Sequence, residues 1–316
     1  MQAYVGVTDY DWFDLLRNLP QLEEVNFWQP GGNQVFKALN PGELFLFKLH
    51  YPYHIIVGGG FFAYSNVLPI SLAWDSFGVK NGANSLLEMR KNVGRLRHQK
   101  ESPATDYKIG CILLEQPFFL PKNEWIHAPS DWKPSIVQGK RYDLSIEPGR
   151  SLWRQLHVST LLASAMQEEQ VVSSVNEEQA RYGQPITTMP RLGQGSFRVL
   201  VTDAYDRRCA VTNERTLPAL DAAHIKPYSD SGLHVVSNGI LNGILLRRDL
   251  HALFDKGYVT ITPSMKFEVS HRIKEEFENG RDYYRLQGNA LRLPANPVNH
   301  PSQEYIKWHN NNKYLG

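Results

Sequence analysis

Residues 221–255 read DAAHIKPYSDSGLHVVSNGILNGILLRRDLHALFD, and this stretch decides what fold the second half of the chain can adopt. His224 lies among small and aliphatic residues and is followed by Pro227, as expected for a short strand that runs into a loop. Asn242 and the glycine after it introduce a second apolar segment. His251 lies nine residues beyond Asn242, within the apolar periodicity of a helix. The sequence therefore predicts the order strand, loop, strand, helix.

This order of elements resembles that of the ββα-metal (HNH) nucleases, in which these parts hold one divalent cation. The resemblance covers residues 209–259. It implies that His224 is the general base and that Mg²⁺, Mn²⁺ or another divalent cation stabilises charge on the phosphate. An imidazole with an ordinary pKa of about 6.5 can accept a proton at physiological pH. The alternative for His224 is a buried strand histidine that makes one hydrogen bond.

The resemblance makes His251 the first candidate for a metal ligand. Asp255 follows His251 by four residues, so a helix places both side chains on one face. Asp221 lies three residues before His224, and its carboxylate is a second candidate. Many HNH nucleases carry a ligand immediately before the base, where this chain has Ala223. The ligand set must therefore be completed by Asp221 or by additional water.

The motif asparagine has two candidates, because NGIL occurs at 238–241 and again at 242–245. In the HNH family this asparagine precedes the metal-binding helix residue by nine positions and pins the loop after the base strand. Asn242 has that spacing to His251, whereas Asn238 is four residues too early. Both Asn-Gly pairs also suit a tight turn. We choose Asn242 and count it with His224 and His251 as the catalytic set.

Composition indicates an ordinary soluble protein in a reducing compartment. The chain has 316 residues, enough for two domains, with 42% apolar and 21% charged residues and a net charge of +2. No apolar stretch reaches the length of a membrane span, and the acidic first twenty residues do not resemble a secretory signal. Two cysteines without CxxC spacing argue against a disulfide framework and a four-cysteine zinc site. We expect a cytoplasmic protein.

Basic residues are concentrated in two places. One is the segment 90–100, and the other leads into the nuclease motif. Such runs are usually solvated faces, but beside a phosphodiesterase site phosphate contact is equally expected. The candidates for phosphate contact are Arg90, Lys91, Arg95, Arg97, Lys100, Arg191 and Arg198.

The pattern along the chain predicts an α+β protein in three parts. Residues 1–150 are rich in aromatic and β-branched residues and predict a mostly antiparallel β domain. Residues 151–190 form a helical linker that ends in a Gly/Pro-rich hinge. Residues 191–316 contain the nuclease motif, with further strands after residue 258 and a hairpin around Gly288.

The motifs FWQPGG at 27–32 and AWDSFGVKNGA at 73–83 resemble those of the EVE domain. That family is a PUA-like pseudo-barrel whose relatives bind modified bases. A flipped base needs aromatic faces for stacking and polar groups at its Watson–Crick edge. The alternative is that these aromatics form the core, and that the glycines at 58–60 form a bulge. The resemblance implies a base pocket lined by Trp28, Phe62, Tyr64, Trp74, Asp75 and Phe77.

A reader domain fused to an HNH domain resembles the modification-dependent restriction endonucleases. The resemblance implies a metal-dependent enzyme that cuts foreign double-stranded DNA containing 5-methylcytosine or 5-hydroxymethylcytosine after base flipping. Two protomers would be needed if it cuts both strands at once. The alternatives are an RNA-directed nuclease or toxin, and a non-catalytic protein that binds modified nucleic acid.

Overall fold

The computed structural model describes residues 2–32, 34–97, 105–156, 193–227 and 239–316. The chain divides into two compact units, residues 1–190 and 191–316. No helix within the described ranges is long and apolar enough to cross a membrane. The mixed α+β class predicted from the sequence is confirmed. Residues 157–190 of the predicted linker lie outside the described residues.

The described part of the first unit is built on one seven-stranded sheet. The strand order is β2-β5-β4-β3-β1-β7, and β6 pairs with β4. β1 and β3 are parallel, while the other pairs are antiparallel, as predicted. The strands are β1 (Gln2–Thr8), β2 (Glu24–Gln29), β3 (Leu44–Leu49), β4 (Ile55–Pro69), β5 (Lys108–Phe119), β6 (Ile126–His127) and β7 (Gly139–Asp143).

Helices cover this sheet, and β3 is buried on both faces. Alternate residues of a strand point to opposite faces. Accordingly, Phe45 and Phe47 pack into an aromatic cluster with Trp12, while Leu44 and Leu46 pack into an aliphatic cluster. The helices are α1 (Tyr10–Arg17), α2 (Ile70–Phe77), α3 (Leu86–Arg97) and α4, which begins at residue 149 and is described to residue 156; a 3₁₀ turn, Gly78–Asn81, follows α2.

The three glycines at 58–60 are needed for close strand packing in the sheet. A Cβ atom on Gly59 would lie 2.6 Å from the carbonyl oxygen of Phe45. A Cβ atom on Gly58 would lie 2.2 Å from the carbonyl oxygen of Phe118. The register of β4 shifts against both neighbouring strands in this region. The bulge, rather than an approach to a ligand, therefore accounts for these glycines.

The second unit contains a two-stranded sheet of β8 (Leu220–His224) and β9 (Gly243–Arg247), which shares one core with α5 (Gln194–Ala204) and α6 (Arg248–Asp255). Phe197 and Val201 of α5 pack against Ile244 and Leu246 of β9, and the same core includes Leu250 of α6. The elements are α5 (Gln194–Ala204), β8 (Leu220–His224), β9 (Gly243–Arg247), α6 (Arg248–Asp255), β10 (Val259–Ile261), β11 (Phe267–Val269), α7 (Arg272–Phe277), α8 (Arg281–Tyr284) and α9 (Gln303–Asn312).

The hairpin predicted around Gly288 is wrong. Gly288 donates its N–H to the carbonyl of Phe267, and a single bridge joins Lys266 to Ala290. The turn therefore adds one bridge to the edge of β11 instead of forming a pair of strands. The short helix α8 precedes this turn. Apolar alternation over so few residues does not distinguish a strand from a turn, which explains the error.

Candidate active site

The turn before β9 positions the site. His224 is the last residue of β8 and pairs with Gly243, the first residue of β9. A Cβ atom on Gly243 would lie 2.4 Å from the side chain of Val201 and 3.0 Å from the ring of Phe197. Glycine is therefore required for the strand to approach α5 this closely. The approach brings His224, Asn242 and α6 into one ββα unit.

The His224 ring stacks on Phe197, with the ring centroids 3.7 Å apart and the planes within 10° of each other. The side chain is half-buried. Burial lowers the pKa of His224, and the neighbouring His251 lowers it further, while Asp255 opposes the shift. The imidazole is therefore neutral at physiological pH and able to accept a proton.

Asn242 is buried and fixes the chain that follows β8. Its side-chain Oδ1 accepts from the N–H of Lys226 at 2.8 Å, and its Nδ2 donates to the carbonyl of Lys226 at 2.9 Å. The carbonyl of Asn242 also accepts from the N–H of Ile225. These bonds are of the kind predicted for the motif asparagine. Asn238 lies outside the described residues.

The two carboxylates predicted as metal ligands lie on different sides of His251. Its Nδ1 is 3.8 Å from Oδ2 of Asp221, and its Nε2 is 3.3 Å from Oδ2 of Asp255. Because the two ring nitrogens point away from each other, one ion cannot be bound by the ring and both carboxylates in this arrangement. The described ranges contain no group of three His, Cys, Asp or Glu side chains arranged to hold a metal ion. The predicted set of three ligands is therefore not assembled.

Asp221 is instead the centre of an ion-pair cluster. Its Oδ1 accepts from Nη1 of Arg198 at 2.6 Å, and its Oδ2 lies 3.4 Å from Nε of Arg248. Arg198 also donates to the carbonyl of Leu220. Arg198 was predicted to contact phosphate, and its pairing with Asp221 was not predicted. Their separation of 23 residues gives no local signal for this pair.

Three of the basic residues of α3 also have partners within the protein. Arg90 donates to the carbonyl of Thr105, and Arg97 donates to the carbonyl of Lys108. Arg95 lies 3.3 Å from Asp9. Lys91 is exposed on the same helix. Phosphate contact by these side chains stays a prediction, and Lys100 and Arg191 lie outside the described residues.

Two of the aromatics predicted for the base pocket belong to the core. Phe62 is 5% exposed and Phe77 is 3% exposed, so neither offers a free ring face, and their assignment to the pocket is corrected. A small domain buries most of its large apolar side chains in its core, which explains the error. The other four are accessible: Trp28, Tyr64 and Trp74 are half-buried, and Asp75 is exposed.

Asn81 is a buried residue that the sequence analysis missed. Its Nδ2 donates to the carbonyls of Ala73 and Gly78, and its Oδ1 accepts from Asn26. Its own carbonyl accepts from the indole N–H of Trp28 at 2.8 Å. Asn81 therefore holds α2 and the indole of Trp28 in place. The Asn-Gly pair at 81–82 suggests only a turn, so the sequence contains no signal for this role.

Comparison with known proteins gives a match for the nuclease segment. Residues 209–262 match the HNH endonuclease family. A solved structure titled "Modification dependent TagI restriction endonuclease" is similar at 12% sequence identity, over 99% of this chain and 81% of that chain, with a TM-score of 0.31. A TM-score this low establishes no common fold. No curated protein matches the chain.

The family match covers the segment predicted to be an HNH domain and includes His224, Asn242 and His251. The chain thus carries an HNH endonuclease domain at residues 209–262, and the protein is a nuclease.

Proposed function

We propose that the protein is a divalent-metal-dependent endonuclease that cuts double-stranded DNA containing modified cytosine and so restricts foreign DNA. The observation that carries the catalytic part is the half-buried imidazole of His224, stacked on Phe197 beside the loop pinned by Asn242. Two protomers, each acting on one strand, would produce a double-strand break. The expected location is the cytoplasm.

His224 acts as general base in this proposal. It removes a proton from the water that attacks the phosphorus, and the stacked Phe197 ring keeps the imidazole in one plane. Because burial disfavours the charged imidazolium, the proton must be passed on to solvent after each turnover. Asn242 keeps the backbone after His224 in place and so orients the base.

His251 and Asp255 fit a divalent cation better than the other candidate pair. They provide one imidazole nitrogen and one carboxylate that are close together, and Asp255 is 58% exposed, so water can fill the remaining positions. Asp221 is held by two guanidinium groups and is less available. A bound cation would stabilise the charge that develops on the phosphate.

The first unit is proposed to read the modified base. This part rests on the resemblance of its motifs to the EVE domain and on the accessible side chains of Trp28, Tyr64, Trp74 and Asp75. The hydrogen bond from Trp28 to Asn81 fixes the indole plane, which suits a stacking surface. The exposed carboxylate of Asp75 can accept from the exocyclic amine of cytosine.

The test is cleavage by the full chain. The substrates are one duplex in plain, 5-methylcytosine and 5-hydroxymethylcytosine forms, and an RNA of the same sequence, each with Mg²⁺ and with EDTA. We expect cleavage of a modified duplex only with Mg²⁺. Cleavage of RNA alone would identify an RNA-directed nuclease. Equal cleavage of plain and modified duplex would refute the reader function.

The His224→Ala variant tests the base. Loss of a general base lowers the rate by roughly 10²–10⁴-fold. DNA binding, measured by anisotropy, should stay nearly unchanged because the base acts in the chemical step. His271→Ala is the control, since His271 precedes α7, is 67% exposed and lies 3.6 Å from Glu275 of that helix. A His224→Ala variant with a tenth of the normal rate would show that another residue is the base.

A further inference from the structure

The backbone of Lys226 lies close to the candidate base. It lies two residues after His224, beyond the end of β8. Both its N–H and its carbonyl are bonded to the Asn242 side chain, and the preceding residue, Ile225, is 1% exposed and also bonded to Asn242. The two hydrogen bonds to Asn242 therefore hold the backbone of Lys226 on both sides of its Cα. The backbone of Lys226 is thus fixed two residues from the candidate base.

The side chain of Lys226 is directed by Trp308 of α9. Its Nζ lies 5.6 Å from the centroid of the Trp308 ring, within the range of a cation–π contact. The start of α9 is joined to the same turn as Asn242, because Ser302 donates its N–H to the carbonyl of Leu241. One turn thus positions both the lysine and the ring beside it.

Lys226 differs from the other cations near the site in the partner of its charged group. Arg198 and Arg248 share the carboxylate of Asp221, and Arg247 is paired with Asp249. Within the described parts of the chain, the Lys226 ammonium lies over the Trp308 ring and not beside a carboxylate. An aromatic face orients a cation without neutralising it, so the positive charge stays available to an anion.

We infer that Lys226 binds a non-bridging oxygen of a DNA phosphate next to His224, and that Trp308 holds its ammonium group in the orientation for this contact. The inference rests on the nuclease function and specifies how the backbone of the substrate is held. It does not depend on which base the first unit reads. A phosphate held here would keep the scissile bond in register with the base.

The test is equilibrium binding of the full chain to a fluorescent 30-bp duplex at 50 and 200 mM salt. All variants carry His224→Ala, so that the duplex stays intact. Each phosphate contact contributes about 0.9 to the slope of log K against log salt concentration. Lys226→Met should therefore bind more weakly at 50 mM salt, and its deficit should shrink about threefold at 200 mM. Lys226→Arg should keep the slope of the parent.

The controls separate this contact from a general loss of charge or of structure. Lys274→Met removes an exposed cation of α7 in the same unit, and the slope should not change. Trp308→Leu should reproduce part of the Lys226→Met effect, and the double variant should be no weaker than Lys226→Met alone, whereas Trp308→Phe keeps a ring. Thermal unfolding confirms that each variant is folded.

An unchanged salt slope in folded Lys226→Met would overturn the inference, as would additive effects of Lys226→Met and Trp308→Leu. Neither result would affect the proposed function, because binding in this experiment requires no cleavage. The converse result is that the chain with His224 intact cuts no DNA while Lys226→Met still lowers the salt slope of binding. That result would refute the proposed function and leave the phosphate contact standing.

Discussion

At the scale of single residues, the first unit contains a carboxylic acid in an unusual environment. Glu115 and Glu24 are cross-strand neighbours on β5 and β2, and both are fully buried. Glu24 pairs with Lys80 at 3.0 Å, whereas neither oxygen of Glu115 has a hydrogen-bond partner in the described structure. Burial, with a smaller contribution from the charge of Glu24, raises the pKa of Glu115 to about 8. The residue is therefore protonated at neutral pH.

This shift predicts that the contribution of Glu115 to the free energy of unfolding falls as the pH rises. Between the ordinary pKa of 4.5 and the folded value of about 8, the unfolded chain is ionised at Glu115 while the folded chain retains the proton. The unfolded state then binds fewer protons, so stability decreases by up to about 1.4 kcal/mol per pH unit and levels off above pH 8.

Denaturant titration from pH 5 to pH 9 measures how the free energy of unfolding changes with pH. Glu115→Gln should make this slope smaller, and the variant should be more stable than the parent at pH 8. Glu43→Gln, an acid near the surface of the same unit, is the control and should leave the slope alone. An equal slope in Glu115→Gln and parent would mean that Glu115 is ionised in the folded protein.

At the scale of elements, the turn Gly239–Asn242 joins β9, the loop after β8 and α9. Replacing Asn242 by Ala leaves the N–H and the carbonyl of Lys226 without their side-chain partner. A buried backbone group without a partner costs about 1–3 kcal/mol. Because the loop carries the base, cleavage should fall by more than stability alone explains.

Cleavage rates and thermal unfolding of Asn242→Ala and Asn238→Ala provide the measurement, with Asn238→Ala expected to be the milder. Asn242→Asp keeps the acceptor for the Lys226 N–H and should lie between Asn242→Ala and the parent. If Asn238→Ala proved the more severe, the choice of motif asparagine would have to be reversed.

His251 of α6 has two carboxylate neighbours, Asp255 on the same helix and Asp221 on β8, and their substitutions should have opposite profiles. Asp255→Ala should raise the Mg²⁺ concentration needed for half-maximal cleavage and leave thermal unfolding unchanged, since Asp255 is 58% exposed. Asp221→Ala should mainly lower the stability, because the side chain of Arg198, 18% exposed, loses its carboxylate. His251→Ala should lose activity, with partial rescue at raised Mg²⁺ or Mn²⁺. A raised Mg²⁺ requirement in Asp221→Ala alone would assign the ligand to Asp221.

At the scale of the whole molecule, the two units are proposed to divide recognition and chemistry. An HNH site that contacts mainly the DNA backbone distinguishes poorly between base sequences, so specificity must come from elsewhere in the chain. The half-buried Trp74 of α2 is the cleaner test of the reader, because Trp28 also anchors Asn81 and its loss would disturb the fold.

Trp74→Ala in the full chain should shrink the preference for methylated over unmethylated duplex, because stacking on a flipped base contributes roughly 1–3 kcal/mol. Arg95→Ala is the matched control: it should weaken binding to both duplexes equally, since a phosphate contact does not sense the methyl group. Competition binding with the two duplexes measures both ratios. An unchanged preference in folded Trp74→Ala would exclude Trp74 from the base pocket.

The amino-acid sequence alone determined the elements whose signals are local. The strand, loop, strand and helix of the nuclease domain, and the nine-residue spacing from Asn242 to His251, follow from apolar periodicity and turn residues within 35 positions. The α+β class and the mostly antiparallel first sheet follow from the same patterns. These features depend on neighbours along the chain.

Only the tertiary structure decided which side chains meet. Asp221 was predicted to bind metal, but α5 places Arg198 against its carboxylate. Phe62 and Phe77 were predicted to face a base, but sheet and helix packing buries both. The partner of Lys226, Trp308, lies more than 80 residues away along the chain. Burial and charge pairing depend on contacts between residues distant in sequence, and no local pattern records them.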